Sequence, residues 1–522
     1  MKLFGASLFT LSILSSFVFF IVILVLLYLD AVDIWFAIGL TVGINLLFWL
    51  IGPWFTDLIN RWFYKVRFLT KEEVEKSYPE ITEIINKVAN EYHFKFPKVG
   101  IIADKNPTAY TYGSARFNAR IILTEGIFHY LNTQETQAVV AHELGHIVNR
   151  DFIVMMIAST LVQILYEIYA VLIRARGKKS GSAKLIALVS YGLYTLSIYV
   201  LLYLSRTRES LADEFSAKET SAQDLANGLI KIAYGIVAAE DDDSSKRLLQ
   251  STRHLGIVDV KNAKHIGVIS YITHNDPKVL SEVMVFDKVN PWAKWLELNS
   301  THPLTGNRLD RLSQMSKKQN QPFNFDVAAA VERLKVSKAR LYSTFSYEIL
   351  ISFAPIILFF ISLFTLPPNL ALVGIGVGLL IQVIYKYPHG RIVETTILDE
   401  IRNPYASPIH GKQVLLTGKI IGRGTPGYIF SEDMMLQDKT GLTFLDYNSL
   451  FGFIGDLFFA VKKIKNLIGT NVLVEGWFFR GMSSMVALSY LKTDQGITRS
   501  HPIFWSLVLP VLLILVSFYL YV

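Results

Sequence analysis

Residues 136–179 read "TQAVVAHELGHIVNRDFIVMMIASTLVQILYEIYAVLIRARGKK". Two histidines and a glutamate stand at helical spacing, and within two turns the chain becomes an apolar run long enough for a bilayer. His142 and His146 are four residues apart, so on a helix they share a face and can aim ring nitrogens at one tetrahedral ion. Glu143 is turned about a hundred degrees around that helix, out of ligand reach but close enough to hydrogen-bond a water beside the ion. In this HExxH arrangement zinc acidifies the water, and the glutamate takes its proton and later delivers it to a leaving group. Chance alone places the pattern in about one chain in a hundred of this length. An ordinary surface helix is therefore the competing reading unless a partner motif exists.

A partner follows the next apolar run, in "SRTRESLADEFSA" at 205–217. Glu209 and Asp213 again share one helical face. A zinc site with two histidines needs a third protein ligand and a carboxylate that orients a ligand histidine, roles that suit Glu209 and Asp213 respectively. Taken alone, the same segment reads equally well as a charged helix face. Spacing couples the two motifs: His146 stands shortly before one apolar run and Glu209 shortly after the next, each within roughly 10 Å of the apolar boundary. Two antiparallel helices of similar length return the chain to the face it left. The hairpin thus closes the site at the lipid surface, whether it spans the bilayer or only dips into it.

Composition supports a membrane setting: of 522 residues, 52% are hydrophobic and only 18% charged. The net charge of +8 lies beside apolar runs rather than in aromatic-interleaved patches, so a lipid bilayer and no nucleic acid is the expected partner. The absence of cysteine excludes disulfides and thiolate metal sites, leaving His and carboxylate ligands.

Bilayer-length runs stand at about residues 7–28, 34–54, 152–173, 185–204, 349–365, 369–385 and 503–521. The first begins like a signal peptide but is too long for one and lacks a cleavage site, so a retained helix is expected. Residues 1–54 therefore read as two transmembrane helices, 152–204 and 346–390 as membrane hairpins, and 501–522 as a last transmembrane helix. Between them lie polar segments at 55–151, where a helix precedes short strands, and at 205–345, mainly helical with a solvated acidic loop near residue 240. Residues 391–500 turn Gly-punctuated and β-branched, as in a small OB-like barrel with a structural or docking role. Basic flanks such as Arg61, Lys65, Arg67 and Lys71 predict catalytic segments facing the cytoplasm. The basic loop at 174–184 opposes this if its hairpin spans.

"HELGH" with the downstream "SRTRESLAD" resembles the HtpX-type integral-membrane zinc metallopeptidases, which are related to the Oma-type and CAAX prenyl endoproteases. The similarity extends to "PKVGIIADKNPTAYTYG", to "ILTEGIF" and to "STHPLTGNRLDRL", over roughly residues 60–315. It implies one zinc on His142, His146 and Glu209, Glu143 as general base and acid, and Asp213 behind the ligands. It also implies His302 as a catalytic group at the oxyanion, Arg308 orienting it or binding substrate backbone, and a strand around Ala109 and Tyr110 that pairs with extended substrate. The family often has Asn where this chain has Thr108. The expected fold is an α+β membrane protein: a multi-span helical region, a mainly helical zincin-type catalytic domain carrying a small sheet, and a C-terminal small β-barrel-like domain. The expected function is cleavage of membrane or misfolded polypeptides at the cell (inner) membrane, as quality control. A CAAX-type processing protease and an inactive scaffold or chaperone-like module are the alternatives.

Overall fold

The computed structural model describes residues 32–174, 180–238, 276–423, 431–481 and 484–521, together with residues 13, 17, 18, 20 and 21. The first expected span falls almost wholly outside these residues, as do the acidic run near residue 240, residues 175–179 of the basic loop, and His254, His265 and His274.

The chain opens with α1 (Val32–Phe63), β1 (Arg67–Leu69), α2 (Pro79–Glu91), β2 (Lys98–Ile102), β3 (Ala109–Tyr112) and β4 (Arg120–Thr124). After a short helix at Glu125–Tyr130 come four longer ones: α3 (Thr133–Val148), α4 (Asp151–Leu172), α5 (Ser180–Glu219) and α6 (Ala222–Ala238). Short helices then lead to α7 (Thr305–Lys318), α8 (Lys338–Thr365) and α9 (Ala371–Lys386). Among the described residues, six helices are long and apolar enough to cross a membrane, lying in α1, α4, α5, α8, α10 (Pro502–Tyr521) and the segment Pro368–Lys386 that contains α9.

The sequence starts α3 with a capping box. Asn132 accepts the Glu135 N–H at 2.8 Å while the Glu135 carboxylate accepts the Asn132 N–H at 2.9 Å. Ala138, Val139, Val140, Ala141, Leu144 and Ile147 along it are all fully buried, because the helix lies inside the catalytic core and is covered on every side. It stops at Arg150, whose left-handed φ of 60° turns the chain sharply and begins α4 at Asp151.

The apolar run at 185–204 and the motif at 205–217 lie on a single helix, for α5 is unbroken over 40 residues. At 1.5 Å per residue it is about 60 Å long, twice the hydrocarbon thickness. Its second half therefore stands clear of the lipid and carries Glu209 and Asp213 out with it.

The first sheet runs β1-β2-β4-β3, with β2 and β4 parallel and β3 on the edge. Its tyrosine-bearing face packs against the end of α1. There Asp57 accepts from Arg120 Nε at 3.0 Å, Lys98 Nζ at 2.9 Å and Tyr112 Oη at 2.6 Å. A buried carboxylate matched by two cations and a phenol satisfies its lone pairs, so α1 is latched to the sheet by polar contacts as well as apolar ones.

In the second membrane group, a Cβ at Gly374 would fall on the Leu358 carbonyl and one at Gly378 on Pro355, both in α8, while one at Gly376 would meet Ile514 of α10. The "GIGVG" pattern thus lets α9 approach a neighbour on each side.

Among the described residues, seven strands lie between α9 and α10: β5 (Val393–Glu394), β6 (Lys412–Arg423), β7 (Met434–Gln437), β8 (Leu442–Asp446), β9 (Asn471–Arg480), β10 (Ser484–Thr493) and β11 (Gly496–Arg499). Five of them pair in a closed circuit, β6-β7-β8-β10-β9-β6, with β8 and β10 parallel. Closure removes free edges within the ring. The barrel stands on the ends of α9 and α10, where Val383, Tyr387 and Ile503 pack against Trp477, Phe479 and Met485. The whole is α+β and mostly helical.

Candidate active site

The helices α3 and α5 meet closely at Gly145, where a Cβ would lie 3.1 Å from the Ala212 Cα. Ser216 Oγ fixes the same crossing by donating to the Ala138 carbonyl at 2.6 Å. This approach brings His142 Nε2 to 3.5 Å from Glu209 Oε2 and His146 Nε2 to 3.7 Å from Glu209 Oε1. The two imidazoles are nearly perpendicular, with centroids 5.0 Å apart. One ligand atom from each of His142, His146 and Glu209 lies within 4.8 Å of the others, a separation suited to a shared metal ion.

Both histidines have the opposite ring nitrogen against a carboxylate. His142 Nδ1 lies 3.0 Å from Asp213 Oδ1, and Arg308 forks onto that carboxylate through Nε at 2.8 Å and Nη2 at 2.6 Å. His146 Nδ1 lies 2.6 Å from Asp151 Oδ2, which is also 3.1 Å from Arg208 Nε. A proton held at each Nδ1 leaves each Nε2 lone pair facing Glu209.

His302 also faces the centre, with Nε2 3.6 Å from Glu209 Oε2 and Nδ1 2.9 Å from Thr301 Oγ1. Its loop is tied to α5 by Arg206, whose Nη1 donates to the carbonyls of Glu297, Leu298 and Ser300 at 2.8, 3.2 and 2.8 Å. On the other side Thr111 Oγ1 donates to Glu143 Oε2 at 2.7 Å.

The donor set fits a divalent cation. His142 Nε2, Glu209 Oε2 and Glu143 Oε1 are buried without a hydrogen-bond partner, and such orphans each cost about 1–3 kcal/mol unless something satisfies them. Burial opposes a proton on His142, but the carboxylates of Asp213 and Glu209 outweigh it and lift the imidazole to about 9. The local potential thus favours positive charge where an ion would sit. Burial pushes the Glu143 carboxyl up, against the opposing pull of His146, His142 and the Thr111 hydroxyl.

Arg308 and Tyr110 are both buried. Arg308 is 2% exposed and spreads its fork on Asp213, so it holds the carboxylate behind His142. Tyr110 is 1% exposed and donates to Asn60 Oδ1 at 3.3 Å on the face toward α1. Strand alternation turns it away from the centre and turns Ala109 and Thr111 toward α3. The Thr124 N–H bonds the Thr108 carbonyl and Tyr110 stands opposite Ile122, so the Tyr110 main chain faces β4 while that of Ala109 and Thr111 faces the outer edge.

Four residues escaped the sequence reading: Asp151, Thr111, Arg206 and Arg208. Strand alternation from Tyr110 would have pointed to Thr111, and the "RTR" within the quoted motif contains both arginines. Asp151, five residues beyond His146, reaches back only because Arg150 reverses the chain.

The match to the model of peptidase family M48 covers residues 75–316. A protease HtpX homolog of Pyrococcus abyssi is 30% identical over 277 residues, covering 51% of this chain and 82% of that protein. One from Syntrophobacter fumaroxidans is 30% identical over 265 residues, covering 47% of this chain and 91% of that protein. The chain belongs to peptidase family M48. It is a metalloprotease acting on polypeptides, embedded by apolar helices in a membrane. The solved structure of S. mikatae Ste24p aligns with a TM-score of 0.36 and 19% identity, over 59% of this chain and 62% of that one. The M48 match ends before α8, so the second membrane group and the barrel lie beyond it.

Proposed function

We propose that this M48 peptidase is a zinc-dependent endopeptidase that cuts membrane or misfolded polypeptides at the cytoplasmic face of the cell membrane, as quality control. The observation that carries this reading is the set of buried, unpartnered atoms, His142 Nε2 and Glu209 Oε2, converging with His146 Nε2. His142, His146 and Glu209 would hold the zinc, which when bound polarises a peptide carbonyl and acidifies water. Glu143 accepts the water proton at its unpartnered Oε1, oriented by Thr111 at Oε2, and passes it to the departing amine. His302 stabilises the developing oxyanion. Asp213, with Arg308 behind it, fixes the His142 ring, while extended substrate adds to the edge of β3 around Ala109 and Tyr110.

In this reading, residues 55–151 and 205–345 form one catalytic unit interrupted by the hairpin at 152–204, and 391–500 form a separate β-rich unit. The basic residues at the end of α1 support a cytoplasmic orientation. The test uses purified full-length chain on an unfolded membrane-protein substrate. Wild type cleaves it, and Glu143→Gln retains stoichiometric zinc without cleaving. Equal cleavage by both rejects the mechanism, and undiminished zinc in His146→Ala and Glu209→Ala rejects the ligand set.

A further inference from the structure

Between β8 and β9 the barrel carries "SLFGFIGDLFFAVKKIK", residues 449–465. Its first helix, Gly452–Phe458, presents an apolar tip: Phe451 and Phe453 are 79% exposed and Ile454 77%. The only acidic residue in this stretch, Asp456, is turned inward to accept the Ser449 N–H at 2.6 Å. Lys462, Lys463 and Lys465 are exposed just beyond the tip, and Lys462 Nζ lies 4.9 Å from the Phe458 ring centroid.

This tip is continuous with a membrane helix. Trp505, in the first turn of α10, donates through Nε1 to the Ser449 carbonyl at 2.6 Å, and a Cβ at Gly452 would meet its ring at 2.9 Å. The 20 residues of α10 measure about 30 Å, the thickness of the hydrocarbon layer. Its first turn therefore lies at the membrane interface, and the tip beside Trp505 lies at the same depth. Aromatic and aliphatic side chains at the boundary with lysines above them match the layering of an anionic lipid surface.

We propose that residues 450–465 are a lipid-contact surface: the phenylalanines and Ile454 enter the interfacial region of the bilayer, and the three lysines meet anionic headgroups. The barrel is thereby held against the membrane at a point beside α10 as well as through its two helices.

The natural absence of cysteine makes a site-specific test direct. Full-length Phe453→Cys and, independently, Ile454→Cys are labelled with an environment-sensitive fluorophore in phosphatidylcholine/phosphatidylglycerol nanodiscs. Asp494→Cys, in the exposed turn between β10 and β11, is the reference. The expected result is blue-shifted emission at 453 and 454, with quenching by lipids spin-labelled near the headgroup at least threefold stronger than at 494. Replacing Lys462, Lys463 and Lys465 together by Gln should diminish that quenching in the anionic discs. Water-like emission at both tip positions overturns the proposal. So does blue-shifted emission that spin-labelled lipid fails to quench, which would place the tip against protein.

Discussion

Asp151→Asn tests whether the metal centre depends on the turn that follows α3. Asp151 is fully buried, its Oδ2 lies 2.6 Å from His146 Nδ1, and Arg208 Nε stands 3.1 Å from the same oxygen. The amide preserves volume but removes the charge, so a charge-assisted hydrogen bond becomes a neutral one of roughly half the strength. The His146 ring is then less firmly aimed, and its Nε2 becomes a weaker donor. Loss of a carboxylate behind a ligand histidine costs about 10–100-fold in metal affinity or activity, which is about 1.4–2.8 kcal/mol at 1.4 kcal/mol per tenfold. The upper part of that range is expected here, because the contact is short, excluded from water and shared with a cation that would lose its partner. Zinc affinity is measured by competition with a chromophoric chelator, alongside the melting temperature of the zinc-free protein to separate ligand aim from unfolding. An Asp151→Asn protein that folds normally and binds zinc within twofold of wild type refutes the reasoning.

Gly145→Ala places a methyl 3.1 Å from the Ala212 backbone and 3.2 Å from Phe215 Cβ, so α5 must shift by a few tenths of an ångström. Peptidase activity should fall about tenfold or more, given how steeply rate depends on such placement, and wild-type turnover would show that the crossing has slack. Arg206→Gln should lower kcat about tenfold with KM and zinc content little changed, because three carbonyls of the His302 loop lose a charged donor; steady-state kinetics with metal analysis decides it. In the barrel, burial together with Asp446 and Glu432 pushes the Asp433 carboxyl up to about 7. The folded chain thus binds the proton more tightly than the unfolded one, whose carboxyl titrates near 3.8, and wild-type stability drops as pH rises through that window. Asp433→Asn should therefore melt several degrees higher than wild type at pH 8, with the advantage shrinking toward pH 4; a pH-independent difference contradicts this origin.

The position of α3 was readable because His142 and His146 share one helical face just ahead of an apolar run, while its capping box at Asn132 and Glu135 emerged from the structure. The antiparallel path of α4 and α5 was readable because their apolar runs have similar lengths. The small barrel at 391–500 was expected from glycine spacing and β-branched residues, but the strand order that closes it was not legible. That depends on β9 pairing with both β6 and β10, a non-local choice that no short window encodes. The Asp57 latch was hidden for the same reason, since its partners come from three strands more than forty residues away. For Arg308 the resemblance left open whether it orients the oxyanion group or binds substrate backbone, and packing adds that its fork meets Asp213.

The arrangement of α5 explains why these separate contacts belong to one device. Arg206, Arg208, Glu209 and Asp213 occupy just over two turns, roughly 10 Å of helix. In that length they reach the His302 loop, Asp151 behind His146, the shared centre, and the other ring nitrogen of His142. Because the same helix continues without a break into its membrane half, an axial or tilting movement there shifts all four contacts together. Substitutions at any two of these positions act through one rigid element and shared partners, so their effects should not add. A double-mutant cycle between Arg208 and Asp213, which stand behind the two ligand histidines on the same helix, would measure that coupling in zinc affinity. Strict additivity would mean that α5 yields locally instead of transmitting.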